Sequence, residues 1–200
     1  MDRNIEFPEN ATPIDDFSGL KPKWVHTLQD LNRAEGENIL RAYRTYFEGS
    51  VFKRKTLMSI STLKNIHIAM FGGVWEWAGA FRKTSKSIGI PAYKVSMELH
   101  KLKEDVNWWL ESKAKLSPLL QAAIIHHRLV FIHPFENGNG RFARFVSDIH
   151  LFTLVKKHFI WPKDLGFNST NRKCYIEALK AADKGSYTEL VEFLNKKCLR

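Results

Sequence analysis

Apolar residues recur every three or four positions along most of this chain, which is the signature of amphipathic helices. Leu28, Leu31, Ile39 and Ala42 form one stripe. Thr27-x-x-Asp30 reads as a capping box that opens that helix, which runs to about Phe47 and stops near Gly49. A second helix is predicted over 56–72, ending at Gly72-Gly73. Leu99, Leu102, Val106 and Trp109 predict a third over about 97–112. Ser117-Pro118 reads as an N-cap with proline at the first helical position, in a helix that must end before Pro134. Phe142, Phe145, Val146, Ile149 and Phe152 line the next helix. Two more close the chain, one over about 171–183 stopped near Gly185, the other capped by Ser186-x-x-Glu189. Only 79–95, rich in Ser, Gly and β-branched residues, breaks the period, and it reads as a hairpin or extended loop. Residues 1–26, with Pro8, Pro13 and Pro22, read as an extended arm. The expected organisation is an arm (1–26) and one mainly α domain (27–200).

Composition adds little to the fold and more to the surroundings. Two hundred residues suffice for one buried core. No apolar run approaches the roughly 18 residues of a membrane span, and MDRNIEFPEN lacks a signal core. Cys174 and Cys198 form no paired pattern and read as free thiols, so a soluble cytoplasmic protein is expected. The net charge of +10 suits nucleic acid, a polyphosphate or an acidic partner. Lack of a helix-turn-helix, zinc-finger or RNP-like motif argues against nucleic acid.

The densest chemistry lies in HPFENGNGRFAR, from His133 to Arg144. Gly138 and Gly140 introduce a helix whose first N–H groups and dipole make an anion site. Arg141 and Arg144, three apart, suit a di- or triphosphate. His133 can serve as a general base at neutral pH, and Phe135 can anchor the loop in the core. A capped helix with solvent-facing arginines is the plainer reading of any one of these residues.

Glu35 stands inside the apolar stripe of the first helix. A carboxylate there needs a cation or a hydrogen-bond donor. The spacing of His126, His127 and His133 fits no common zinc arrangement, and His127 reads as a buried neighbour of the loop. Trp75, Trp77, Trp108 and Trp109 read as core, and Lys83, Lys86 and Lys94 as solvated or facing an acidic target.

HPFENGNGRFAR resembles the signature of the Fic family, H-P-F-x-[D/E]-G-N-G-R-x-x-R. HIAMFGGVWEWAGAFR (67–82) and YIEALKAADKGSYTELVEFL (175–194) resemble the family's flanking segments. With ATPIDDFSGL and LNRAEGENIL, the pattern is similar to the subgroup called mobile mystery protein B. The resemblance implies a helical bundle with a short β-hairpin flap, and transfer of AMP from ATP to a Ser, Thr or Tyr hydroxyl of a target protein. It implies His133 as the base and Gly138, Asn139 and Gly140 as the anion hole. Arg141 and Arg144 would hold the β- and γ-phosphates, and Lys86, Ser87, Ile88 and Gly89 would lie in the flap that docks the target. Glu35-Gly36 matches the end of the family's inhibitory motif, with Leu31 where Ser or Thr is usual. Glu35 is therefore expected to pair with Arg144 and restrain transfer from a helix spanning 27–48.

One departure matters. The family's Mg²⁺-ligating acid falls at Asn137, and Glu136 is one position early. A neutral carbonyl is a poor ligand for a hard cation, so Mg²⁺ is expected to bind weakly. A catalytically weak nucleotide- or protein-binding module, or a phosphotransferase, are the alternatives. Thr84, Ser85, Ser87 and Tyr93 lie where self-modification would strike, and an antitoxin-like regulator is a further possible partner. Target, nucleotide preference and oligomeric state are not encoded legibly.

Overall fold

A computed structural model describes residues 17–48, 56–112, 116–166 and 169–199. Most of the arm (1–16) and the expected stop at Gly49 lie outside the described residues. The described residues form α1 (Leu28–Phe47), α2 (Ile60–Phe71), α3 (Val95–Glu111), α4 (Pro118–Ile132), α5 (Asn139–Val155), α6 (Thr170–Asp183) and α7 (Thr188–Phe193). The fold is mainly α, as the periodicity indicates.

Local chemistry sets most boundaries. Thr27 and Asp30 exchange side-chain and backbone hydrogen bonds in a complete capping box on α1. Ser59 caps α2 through Thr62 N–H, so this helix begins four residues later than expected. Ser117 caps α4 with Pro118 behind it. At the far end, Ser186 does not cap α7. Its hydroxyl donates to Glu189 Oε2 at 2.8 Å and Tyr187 takes the N-cap position. Backbone continues past α7 as a π-helical turn over Leu194–Cys198.

Two apolar clusters hold the bundle. The larger joins α1 to α5 around Trp75, Phe71, Phe135 and Phe142, and the smaller packs α6 and α7 through Tyr175, Leu179, Leu190 and Phe193. Helices α4 and α5 pack together across the middle, so the loop between them (133–138) is braced from both sides. Trp75 and Trp109 are core residues as expected, but Trp108 is 60% exposed. It follows Asn107 on the outer face of α3, whose buried stripe runs through Val95, Leu99, Leu102, Val106 and Trp109.

The expected hairpin is absent. Among the described residues, 79–94 makes one isolated antiparallel bridge, Phe81 to Phe135, then bends into a short 3-10 turn at Ala92–Lys94. Gly89 has φ +98 and Pro91 cannot donate to a ladder, which leaves no regular run to pair. The segment is held in place by side chains instead.

Candidate active site

Helix α4 ends at His133, which adopts a left-handed conformation (φ 52, ψ 61) and caps the helix by donating its N–H to Leu129 O. Pro134 cannot continue the helix, and the chain turns into the loop. Phe135 is fully buried, stacked on His67 with centroids 3.7 Å apart and edge-on to Phe142 at 4.9 Å. Asn139 then closes the loop. Its Oδ1 accepts from Phe135 N–H at 2.9 Å and its Nδ2 donates to Phe135 O at 2.8 Å. The Asn139 carboxamide therefore builds the loop, and only its backbone N–H is left for an anion.

Gly138 opens α5 with φ +76, and a Cβ there would stand 2.6 Å from the Phe71 ring. Only glycine satisfies both demands. The first intrahelical bond of α5 is Phe142 N–H to Gly138 O. Backbone N–H groups of Asn139, Gly140 and Arg141 precede it and lack intrahelical acceptors. Asn139 and Gly140 belong to the expected anion-binding set, whereas the third member, Gly138, already gives its N–H to Asn137 Oδ1 at 2.5 Å.

The two arginines leave this helix start in different directions. Arg141 lies over Phe71 and donates to Glu35 Oε2 at 2.5 Å. Arg144 lies over the Trp161 ring at 5.8 Å and faces the Tyr175 phenol, with one terminal nitrogen 3.7 Å from where a Gly140 Cβ would stand. Arg141 thus turns toward α1, and Arg144 toward Trp161 and Tyr175. The expected pairing of Glu35 with Arg144 is thus corrected: α1 reaches the Phe71 side of α5, and the carboxylate meets the first arginine. Glu35 is 2% exposed, and its other oxygen accepts from Trp75 Nε1 at 2.8 Å. A buried carboxylate with a cation on one oxygen and an indole N–H on the other has its burial cost offset.

His133 is 6% exposed, and among the described residues its buried Nε2 has no hydrogen-bond partner. Burial, with lesser contributions from Arg82 and Lys86, pushes its pKa down to about 4 despite the Val130 carbonyl near Nδ1. The ring is neutral at pH 7, with an unshared lone pair or a lone N–H at Nε2. His126 and His127 do not converge on it. His126 Nε2 meets Tyr175 OH at 2.8 Å, while His127 lies between Asp183 and Tyr187.

The expected metal position carries no carboxylate facing the loop start. Asn137 Oδ1 accepts from its neighbour Gly138 N–H at 2.5 Å. Glu136 is turned to the flap, 2.8 Å from Lys86 Nζ. Among the described residues no group of three or more His, Cys, Asp or Glu is placed to hold a metal. At this position the loop offers no charged oxygen toward a hard cation.

Two supporting residues escaped the sequence reading. His67 accepts from Gly79 N–H at Nδ1 (3.0 Å), so its proton is on Nε2, which donates to Asn137 O at 3.2 Å. Burial lowers its pKa to about 3, which keeps that neutral tautomer. Arg82 is buried and binds backbone carbonyls of the flap and of the turn after α4. The only hint in the sequence was their place at the two ends of the segment 67–82.

Residues 57–151 match the model of the Fic/DOC family. A curated relative, protein adenylyltransferase Fic of Nematostella vectensis, is 28% identical over 152 residues, covering 74% of this chain and 34% of that protein. The chain thus spans about a third of the length of this relative. Fic-1 from C. elegans superposes with a TM-score of 0.66 at 23% identity, over 88% of this chain and 50% of that one. BepC of Bartonella tribocorum, solved with bound AMPPNP, gives 0.64 at 19% identity, over 94% and 95%. Both share the fold.

Proposed function

We propose that this protein is an adenylyltransferase that moves AMP from ATP to a Ser, Thr or Tyr hydroxyl of a target protein. The carrying observation is the unpartnered Nε2 of neutral His133 beside the helix start that Arg141 and Arg144 flank. Relatives named protein adenylyltransferase Fic and the AMPPNP-bound neighbour support the choice of chemistry and nucleotide.

In this reading the N–H groups at the start of α5 and the two guanidiniums receive the phosphates of ATP. His133 Nε2 takes the proton from the target hydroxyl, a contribution of roughly 10²–10⁴-fold. The hydroxyl oxygen bonds to the α-phosphorus, the bond from that phosphorus to the bridging oxygen breaks, and pyrophosphate leaves. Phe135 and Asn139 hold the loop while this happens. Flap residues Lys86, Ser87, Ile88 and Gly89 present the target segment, with Gly89 against His133 and Lys86 paired with Glu136. Thr84, Ser85, Ser87 and Tyr93 are all exposed there and are the candidate sites of self-modification.

Glu35 acts as the brake. It neutralises Arg141, so the β-phosphate meets a paired cation instead of a free one. Release of α1, through a target or a separate regulator, frees the guanidinium. Among the described residues no helix is long and apolar enough to cross a membrane.

A nucleotide-binding module without transfer is the second reading. Asn137 favours it, because its carboxamide occupies the Gly138 N–H and brings no negative charge for Mg²⁺. The distinguishing experiment is labelled transfer from ATP with and without His133.

A further inference from the structure

Arg82 is 3% exposed and, among the described residues, is bonded to no carboxylate. Its partners are five backbone carbonyls. The guanidinium donates to Ile132 O at 3.3 Å and to His133 O at 2.6 Å, while its own backbone N–H donates to Pro134 O at 3.0 Å. Three consecutive carbonyls at the end of α4 are thus taken by one residue. On its other side the same guanidinium donates to Thr84 O at 2.8 Å and to Ile90 O. Those two carbonyls mark the two ends of the flap tip.

The C-terminal turn of a helix leaves carbonyls unsatisfied and carries partial negative charge. A guanidinium fits both conditions, and its planar fork reaches acceptors in several directions where an ammonium is a single point. His133 is one of two non-glycine residues at positive φ among those described. A left-handed non-glycine residue needs its surroundings to hold it, and Arg82 bonds the carbonyl on each side of the His133 α-carbon. Gly89 completes the contact. With φ +98, a Cβ on it would lie 2.5 Å from His133 Cβ and 3.3 Å from an Arg82 nitrogen.

We infer that Arg82 is a positioning residue that fixes the flap at one distance from His133, so that a segment docked on the flap brings its hydroxyl to Nε2. This rests on the transferase reading above. It assigns the register between flap and base to Arg82, because the flap has no strand ladder to set that register.

The test uses the full chain with Glu35→Gly as reference, then adds Arg82→Lys, or separately Gly89→Ala, which keeps the Arg82 side chain and crowds the flap against His133. Three quantities are read: ATP affinity, transfer of α-label to protein, and hydrogen exchange across 83–91. For Arg82→Lys, ATP affinity stays within about threefold, transfer falls about 30-fold or more, and exchange rises in 83–91 but not in α5. Gly89→Ala gives the same loss of transfer with ATP affinity kept. Transfer within threefold of the reference in both variants overturns the inference, as does unchanged exchange in Arg82→Lys. If the reference transfers no label at all, the transferase reading falls by itself. The exchange result then decides whether Arg82 holds the flap.

Discussion

Glu35 and Arg141 approach to 2.5 Å across 106 residues of sequence, and the Trp75 indole holds the carboxylate from behind. The pair places a charge from α1 on the arginine nearest the start of α5. Glu35→Gly should raise AMP transfer by roughly 10- to 100-fold, since hydrogen bonds to charged groups are worth about 1.5–3 kcal/mol. Arg141→Ala should abolish that gain. Trp75→Phe removes one donor while keeping most of the ring, and should release the brake in part, by about tenfold or less. Initial rates with α-labelled ATP measure all three. No gain in Glu35→Gly, in a preparation with His133-dependent transfer, would remove the brake.

The Asn139 clamp on Phe135 makes a stability prediction separate from chemistry. Asn139→Ala deletes two buried hydrogen bonds and leaves Phe135 N–H and C=O unpaired. The expected loss is about 2–4 kcal/mol. Denaturant titration of the variant measures it, and a loss below about 1 kcal/mol would mean that Phe135 stacking alone holds the loop.

These two relationships show what the sequence carried. Helical periodicity and caps gave α1 and α3 to α6 nearly to the residue, because capping boxes and the Ser-Pro start are local chemistry. The hairpin reading of 79–95 failed because that segment is ordered by Arg82 and by Lys86–Glu136, contacts with residues about 50 positions away. Glu35 was legible as a misplaced carboxylate in an apolar stripe. Its partner was not, since the choice between Arg141 and Arg144 depends on which side of α5 faces α1. Asn139 was legible as a loop residue only by resemblance, and its side-chain role needed coordinates.

Asn137→Asp restores the acid that the signature resemblance expects. Freed of the neutral carboxamide, the loop should gain a charged oxygen for Mg²⁺. Mg²⁺ should then increase transfer several-fold more in the variant than in wild type, read as rate against Mg²⁺ concentration. Identical Mg²⁺ curves would show that the identity of residue 137 does not limit the reaction.

Stability should depend on pH through buried histidines. Folded-state pKa values of about 3 for His67, about 3 for His126 and about 4 for His133 all lie below the ordinary imidazole value of 6.5. Burial is the main cause in each. The unfolded chain therefore binds these protons first, and stability present above about pH 6.5 is lost as pH falls toward 4 and below. Asp148 works the other way. Burial raises its carboxyl from 3.8 to about 7, outweighing the Phe159 N–H it accepts, so its contribution is full below 3.8 and lost as pH rises through 7. Three effects oppose one, and stability should climb from pH 4 to 6.5. Asp148→Asn should stabilise the fold at pH 8 by about 1–3 kcal/mol and much less at pH 4. Denaturant midpoints at the two pH values test the sign.

The most direct measurement incubates wild type, Glu35→Gly and His133→Ala with α-labelled and, separately, γ-labelled ATP plus Mg²⁺, with and without host lysate. Label from the α-position should appear on protein, strengthen in Glu35→Gly and vanish in His133→Ala. Label from the γ-position alone, or α-label that survives loss of His133, would contradict AMP transfer by this site.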